Sequence, residues 1–297
     1  MTKRPGTDPA SRDEPIWEPS EARKASANLT RFTALVRERT GLPMQDYHAL
    51  HRWSIRHPQE FWPLIWEFGG ILSSRTWERV MEDPGTMTGV RWFSGARLNF
   101  AENLLRRDDE GTALVFRGEN GERCALTHAR LAAEAAAFAA WLRAVGVRSG
   151  DRVAALMPNR PETVVAMLAT ASLGAVWSSA SPDFGAEGIV DRFGQITPKV
   201  LITVDGYFYN GKVIDIRAKA REVAERIPSL EQVALVPWIE RNPGVAMPCP
   251  ATLYPDLLAA HEGSRLEYAQ LPFDHPLYIL FSSGTTGRPK CIVHSAG

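Results

Sequence analysis

Apolar and polar positions alternate with different periods along the chain, and each change of period marks an element. Residues 1–25 are polar, contain prolines and read as loose chain. A first helix is predicted over 28–39, closed by Gly41. Asp46 can cap a second helix that carries Tyr47, Leu50 and Trp53 on one face and stops at Pro58. Pro63 stands near the start of a further apolar turn, ended by Gly69-Gly70. From residue 112 strands and helices take turns. Runs at 113–116 and 124–126 predict a hairpin around Gly118-Glu119-Asn120-Gly121. Thr127 caps an alanine-dense helix through 143, with Gly146 as its stop. Strands follow at 153–157, 175–179, 200–204 and 233–236, and helices at 161–174, 186–196 and 213–227. A proline-rich stretch, 238–252, reads as a loop, and 254–260 as a short helix. Apolar runs at 277–281 and 291–293 close the chain as two more strands. Strands alternating with helices of this length predict an α/β fold, a mostly parallel sheet covered on both faces.

Composition narrows the function classes. The 297 residues suit one large or two ordinary domains, and 34 basic residues balance 34 acidic ones. That balance gives no global pull toward nucleic acid or an anionic membrane. Three cysteines, Cys124, Cys249 and Cys291, are too few and too scattered for a disulfide framework, which suits a reducing cytoplasm. No apolar signal segment and no run long enough to span a bilayer stand out.

Candidate chemistry sits between the last two strands. Ser282-Ser283-Gly284-Thr285-Thr286-Gly287-Arg288-Pro289-Lys290 holds two glycines, four hydroxyls and a lysine, with no carboxylate. Glycines let backbone N–H groups turn inward, and successive inward N–H groups make an anion-binding nest. Hydroxyls add donors and the ammonium adds a point charge suited to phosphate. The spacing is not that of the Walker A loop, which runs G-x-x-x-x-G-K-[ST] from a strand into a helix. Taken whole, the string is a loop for a polyphosphate.

Residues 278–297 resemble the phosphate-loop motif of the adenylate-forming enzymes: acyl-CoA synthetases, nonribosomal peptide adenylation domains and luciferases. Trp92-Phe93-Ser94-Gly95-Ala96-Arg97-Leu98-Asn99-Phe100-Ala101-Glu102-Asn103 is similar to the acetyl-CoA and acetoacetyl-CoA synthetase branch, and Ser181-Pro182-Asp183-Phe184-Gly185 matches the acetoacetyl side of it. The resemblance runs from about residue 28 and implies three parts: a flexible N-terminus over 1–27, an aromatic-rich, mainly helical cap over 28–108, and the N-terminal part of the large ligase domain over 109–297. It implies ATP, Mg2+ and coenzyme A as cofactors, acetoacetate as the acid, and acetate or propionate as the rival acids. By the same resemblance Ser282, Ser283, Gly284, Thr285, Thr286, Gly287 and Lys290 embrace the ATP phosphates, with Thr285, Thr286 and Lys290 closest to the chemistry. Asn210-Gly211-Lys212 answers to a turn near the coenzyme A nucleotide, though Asn-Gly is equally a common turn signal. His294 is either a structural residue at a strand end or a substrate contact. Arg288 is expected in solvent, and the Pro-Asp of 182–183 is expected to start the following helix.

Three rival readings remain open at this stage. Arg52, Arg56, Arg75, Arg79 and Arg91 interleave with aromatics, as in a surface for single-stranded nucleic acid, yet packed rings with wet arginines need no ligand at all. His48 and His51 stand one helical turn apart, but no further ligands at metal spacing accompany them, so no metal site is expected. The adenine pocket, the acyl pocket and the mobile C-terminal domain of the family lie beyond the residues matched here. The chain is therefore expected to be an N-terminal portion, inactive alone, or a non-catalytic remnant that at most binds nucleotide.

Overall fold

Short, predominantly apolar runs favour the middle of a sheet covered on both sides. Such runs form β1 (Arg152–Leu156), β2 (Val176–Ala180), β3 (Val200–Val204) and β4 (Gln232–Val236). With β5 (Ala251–Leu253), β6 (Pro276–Ser282) and β7 (Lys290–Ser295) they make a seven-stranded sheet in the order β5-β4-β3-β1-β2-β6-β7. All neighbours run parallel except β6 and β7. Val153, Ala154, Ala155 and Leu156 are successive and all buried, so both faces of β1 are covered. The computed structural model describes residues 15–83, 85, 89–282 and 287–297, and the chain divides into two compact units, 1–71 and 72–297.

Within the larger unit, helices His128–Ala144, Pro161–Ser172, Ala186–Ile196, Arg217–Glu225 and Tyr254–Ala260 flank the sheet. The Thr127 hydroxyl accepts the Arg130 N–H at 3.1 Å and starts the first of them. Its alanines, among them the buried Ala135, Ala136, Ala137 and Ala139, let it lie close to its neighbours, while Phe138 and Leu142 fill the core. Asn99 holds a second junction. Its Nδ2 donates to the carbonyls of Ala171, Ser172 and Ala269 at 3.1, 3.1 and 2.9 Å. Its Oδ1 accepts from Ala101 and Glu102 at the head of helix Phe100–Leu104.

The smaller unit is helical: Glu21–Ser26, Asn28–Thr40, Tyr47–Arg56 and Pro58–Gly69. Phe32, Val36, Met44, Leu50 and Trp53 form its core. Gly41 and Gly70 close helices with positive φ, 69° and 58°. Asp46 caps as expected, accepting the Ala49 N–H at 2.7 Å. Pro58 both ends one helix and, at its first position, begins the next, so Pro63 lies inside that helix. A short helix at Glu21–Ser26, capped by Ser20, lies where loose chain was expected.

Elsewhere the structure corrects the sequence reading. Residues 213–227 are not one helix. Gly206–Tyr209 and Lys212–Asp215 form a hairpin, and the helix begins at Arg217. Asn210 and Gly211 have φ of 50° and 72°, the paired positive angles of a two-residue hairpin turn, and that turn takes Val213 and Ile214 into a strand. The proline-rich loop holds β5, an edge strand. Residues 72–108 contain a hairpin, Arg79–Glu82 with Arg91–Ser94, so the aromatic stretch is helical only in part.

Candidate active site

β1, β2 and β6 run parallel, so their carboxyl ends open on one edge of the sheet, where α/β folds receive ligands. At that edge Ser282 ends β6 and stands opposite Lys290, the first residue of β7. The loop motif therefore spans the turn between two antiparallel strands. Ser283, Gly284, Thr285 and Thr286 lie outside the described residues. Of the rest, Ser282 is half-buried and Gly287, Arg288 and Lys290 are exposed. Helix Ala186–Ile196 supports the far limb of the loop: Gln195 Nε2 donates to the Pro289 carbonyl at 3.0 Å. Arg288 is exposed and leans toward Asp191, with Nε 3.6 Å from its carboxylate. Lys290 has no ion-pair partner among the described residues, which leaves its charge for a ligand. His294 is exposed on β7 opposite Tyr278.

The base of the motif is firm. Leu277 and Ile279 are buried, and the Ser178 hydroxyl donates to the Ile279 carbonyl at 2.8 Å, tying β6 to β2. Tyr278 packs edge-on against Phe100, and burial pushes its phenol up to about 12. On the same edge a cavity of about 290 Å3 is lined by Met157, Pro158, Asn159, Thr163, Ser179, Ala180 and Ser181. No lining residue is charged, and hydroxyls and an amide alternate with apolar atoms. Such a wall suits an uncharged, hydrogen-bonding chain rather than a phosphate.

The segment 181–185 beside this cavity does not cap its helix as expected. Gly185 is the cap residue and gives no side-chain bond. Asp183 turns the other way: Tyr207 donates to its Oδ1 at 2.6 Å and Ser181 to its Oδ2 at 2.8 Å. The Tyr207 and Ser181 hydrogen bonds hold the Asp183 carboxyl below its ordinary range. Burial first, then the neighbouring carboxylate, raises the Tyr207 phenol to about 12. Through Tyr207 the cavity edge is joined to the hairpin that bears Asn210-Gly211-Lys212. All three turn residues are exposed, Lys212 pairs with no carboxylate among the described residues, and the Asn210 N–H is held by Glu119 at 2.7 Å.

A charge cluster around the buried Arg160, which the sequence did not disclose, stands next to the cavity. Arg160 lies between the rings of Trp238 and Phe116, 4.4 and 5.0 Å from their centres, and bonds Glu162 and Glu122. Burial works to raise the Glu122 carboxyl, but hydrogen bonds from Trp238 and Arg160 outweigh it and hold the group below its usual value. Its members are 38 and 116 positions from Glu122, so no local spacing announces it. Asn99 was visible inside the 92–103 string, but nothing in the string marks it as the buried junction.

Other candidates resolve as packing. Arg75, Arg79 and Arg91 pair with Glu78 and Glu82, and Phe61 packs on Phe32 and Trp53. Arg52 and Arg56, the other two of the series, are exposed. His48 and His51 are exposed and face the Tyr47 ring. No group of three or more His, Cys, Asp or Glu among the described residues is placed to hold a metal ion, and no helix is long and apolar enough to cross a membrane.

Known proteins share this arrangement. Residues 100–297 match the model of the AMP-binding enzyme family, and residues 47–104 that of the acetyl-coenzyme A synthetase N-terminus. An acetoacetyl-coenzyme A synthetase of Rhizobium meliloti is 45% identical over 293 residues, 96% of this chain and 44% of that protein. A malonamoyl-CoA synthetase of Penicillium aethiopicum is 38% identical over 97% of this chain and 42% of its own length. The solved acetoacetyl-CoA synthetase of Streptomyces lividans superposes with a TM-score of 0.88 at 45% identity, covering 96% of this chain and 44% of that one. The chain thus spans under half the length of the relatives it matches.

Proposed function

The chain belongs to the AMP-binding enzyme family, and from that premise we propose that it forms the N-terminal part of an acetoacetate–CoA ligase. The reaction is ATP + acetoacetate + CoA giving acetoacetyl-CoA + AMP + pyrophosphate. A carboxylate oxygen of acetoacetate attacks the α-phosphorus, the bond to pyrophosphate breaks, and acetoacetyl-adenylate forms. The thiol sulfur then attacks the acyl carbon, loses its proton, and AMP leaves. Neither step needs a strong protein base, so the protein's work is to place groups and neutralise charge on the departing phosphates.

The observation that carries this reading is the loop 282–290, set between β6 and β7 at the carboxyl edge of the sheet. Ser282, Ser283, Gly284, Thr285, Thr286 and Gly287 offer backbone N–H groups and hydroxyls to the β- and γ-phosphates, and Lys290 supplies the counter-charge as pyrophosphate leaves. Thr285, Thr286 and Lys290 are the groups assigned to the reacting end. Magnesium would suit this loop: the hydroxyls of Thr285 and Thr286 are hard oxygen donors that could hold it, and it would add the neutralising charge that a single lysine leaves short. Asn210, Gly211 and Lys212 are assigned to the 3′-phosphate of coenzyme A, on an exposed turn and an ammonium with no carboxylate partner among the described residues. His294, exposed on β7, is assigned to the substrate side of the loop. The partners are these small molecules rather than nucleic acid or membrane, and the three scattered cysteines favour the cytoplasm. Acetate and malonamate are the rival acids, since a malonamoyl-CoA synthetase shares 38% of the matched residues.

The test is ATP–pyrophosphate exchange in a ligase carrying this sequence. Lys290→Ala or Thr285→Ala should slow exchange by about 100- to 1,000-fold, and Lys290→Ala should leave thermal unfolding unchanged, since that residue is exposed and its ammonium has no ion-pair partner among the described residues. Exchange at the parental rate in both variants removes the loop from the chemistry.

A further inference from the structure

The hairpin Thr112–Arg117 with Arg123–Thr127 touches both ends of the region just described, through two carboxylates three residues apart. Glu122 clasps Arg160, with Oε2 3.2 Å from Nη1 and Oε1 3.4 Å from Nη2, and accepts the Trp238 indole N–H at 2.6 Å. The Arg160 side chain is 7% exposed, and its backbone bonds residues of the cavity lip. Its N–H donates to the Pro158 carbonyl at 2.9 Å, and its own carbonyl accepts the Thr163 N–H at 3.1 Å. Pro158, Asn159 and Thr163 all line the cavity. Glu119, at the tip, accepts the Asn210 N–H at 2.7 Å.

The turn between these carboxylates is stiff. Gly118 N–H donates to the Glu122 carbonyl at 2.9 Å, Asn120 Oδ1 accepts the Glu122 N–H at 3.1 Å, and Gly121 sits at φ 84°. Two features then need a reason. A clasp on a buried arginine gains little stability over apolar residues of the same size, because the Arg160 guanidinium leaves water while 33% of the Glu122 side chain stays exposed. A carboxylate beside a turn offered to an anion opposes that anion, an effect that solvent weakens but does not reverse. Both make sense if position matters more than charge.

We propose that Glu119 and Glu122 are positioning residues, through which one rigid hairpin holds the Asn210-Gly211-Lys212 turn and the cavity lip at a fixed separation. A single long ligand, phosphorylated at one end and uncharged along its arm, then meets both at once. This rests on the coenzyme A reading of the turn. Glu119 sets the phosphate end by holding the Asn210 N–H. Glu122 sets the lip by holding Arg160.

Calorimetric binding of adenosine 3′,5′-bisphosphate, coenzyme A and AMP to the chain separates the claims. Glu119→Ala should weaken bisphosphate and coenzyme A about fivefold, the worth of one hydrogen bond, and leave AMP unchanged. Glu119→Gln, whose amide oxygen still accepts, should bind within about twofold of the parent. Glu122→Gln should weaken coenzyme A and spare the bisphosphate. Amide exchange at Asn210 should quicken in Glu119→Ala and not in Glu119→Gln, with or without ligand. Unchanged binding in Glu119→Ala, while Lys212→Ala weakens it, overturns the positioning role and keeps the coenzyme A reading. Unchanged binding in Lys212→Ala, or no binding by the parent chain, overturns both.

Discussion

Tyr207 and Asp183 share a 2.6 Å hydrogen bond beside the cavity, and it is a proton-dependent one. The buried phenol favours its neutral form in the fold, with a value near 12 against about 10 in the unfolded chain. Its contribution is therefore complete below about pH 10 and lost as pH rises toward 12. Melting temperature followed from pH 9 to 12 should fall less steeply in Tyr207→Phe than in the parent; parallel curves would mean that the phenol is not held as described. Asn99 makes a different demand. Replaced by alanine, it takes one donor from three carbonyls and the cap from a helix start, although the Ala171 and Ser172 carbonyls keep the Gly174 and Ala269 N–H groups, a loss of about 3 kcal/mol in urea unfolding. A loss under about 1 kcal/mol would say that water replaces the amide. Neither residue's role was legible in the sequence: Asn99 reaches positions 72 to 170 residues away, and Tyr207 reaches back 24. Local pattern carries cap and turn signals, and it carried Asp46, Thr127 and Gly41, whose partners lie within one helical turn.

At the scale of elements the outcome turned on whether one signal or two competed for a stretch. Helix His128–Ala144 had a cap, an alanine-rich body and a glycine stop, and it formed within one or two residues of its expected bounds. In 206–227 the helical composition of the later half masked the Asn210-Gly211 turn, although that dipeptide is a strong hairpin signal. Gly211 occupies positive φ with open space around its missing side chain, so Gly211→Ala meets no clash and costs only backbone strain, about 1 kcal/mol. The expected result is a small drop in melting temperature with weaker coenzyme A binding, because strain shifts the turn that bears Lys212. Full binding by that variant would detach the turn's shape from the ligand. The loop 282–290 was legible as a polyphosphate loop because its glycines, hydroxyls and lysine are contiguous. The cavity at 157–181 was not, since β1 and β2 assemble it from two separate stretches.

Across the whole chain, the order of strands and helices gave the α/β class, because buried parallel strands must be apolar on both faces. It did not give the sheet order β5-β4-β3-β1-β2-β6-β7, which depends on which crossovers reverse direction. Nor did it divide the aromatic stretch at residue 71, where the two compact units meet in sequence. The central claim concerns the acid. The phosphate loop belongs to the proposal whichever acid is used, and the relatives matched here are named for more than one acid. The most direct test is to measure ATP–pyrophosphate exchange by a full-length ligase carrying this sequence, with acetoacetate, acetate and malonamate in turn. The account expects exchange that depends on acetoacetate and is at most weak with the other two. Exchange with acetate or malonamate but not acetoacetate, or none with any acid, would contradict it.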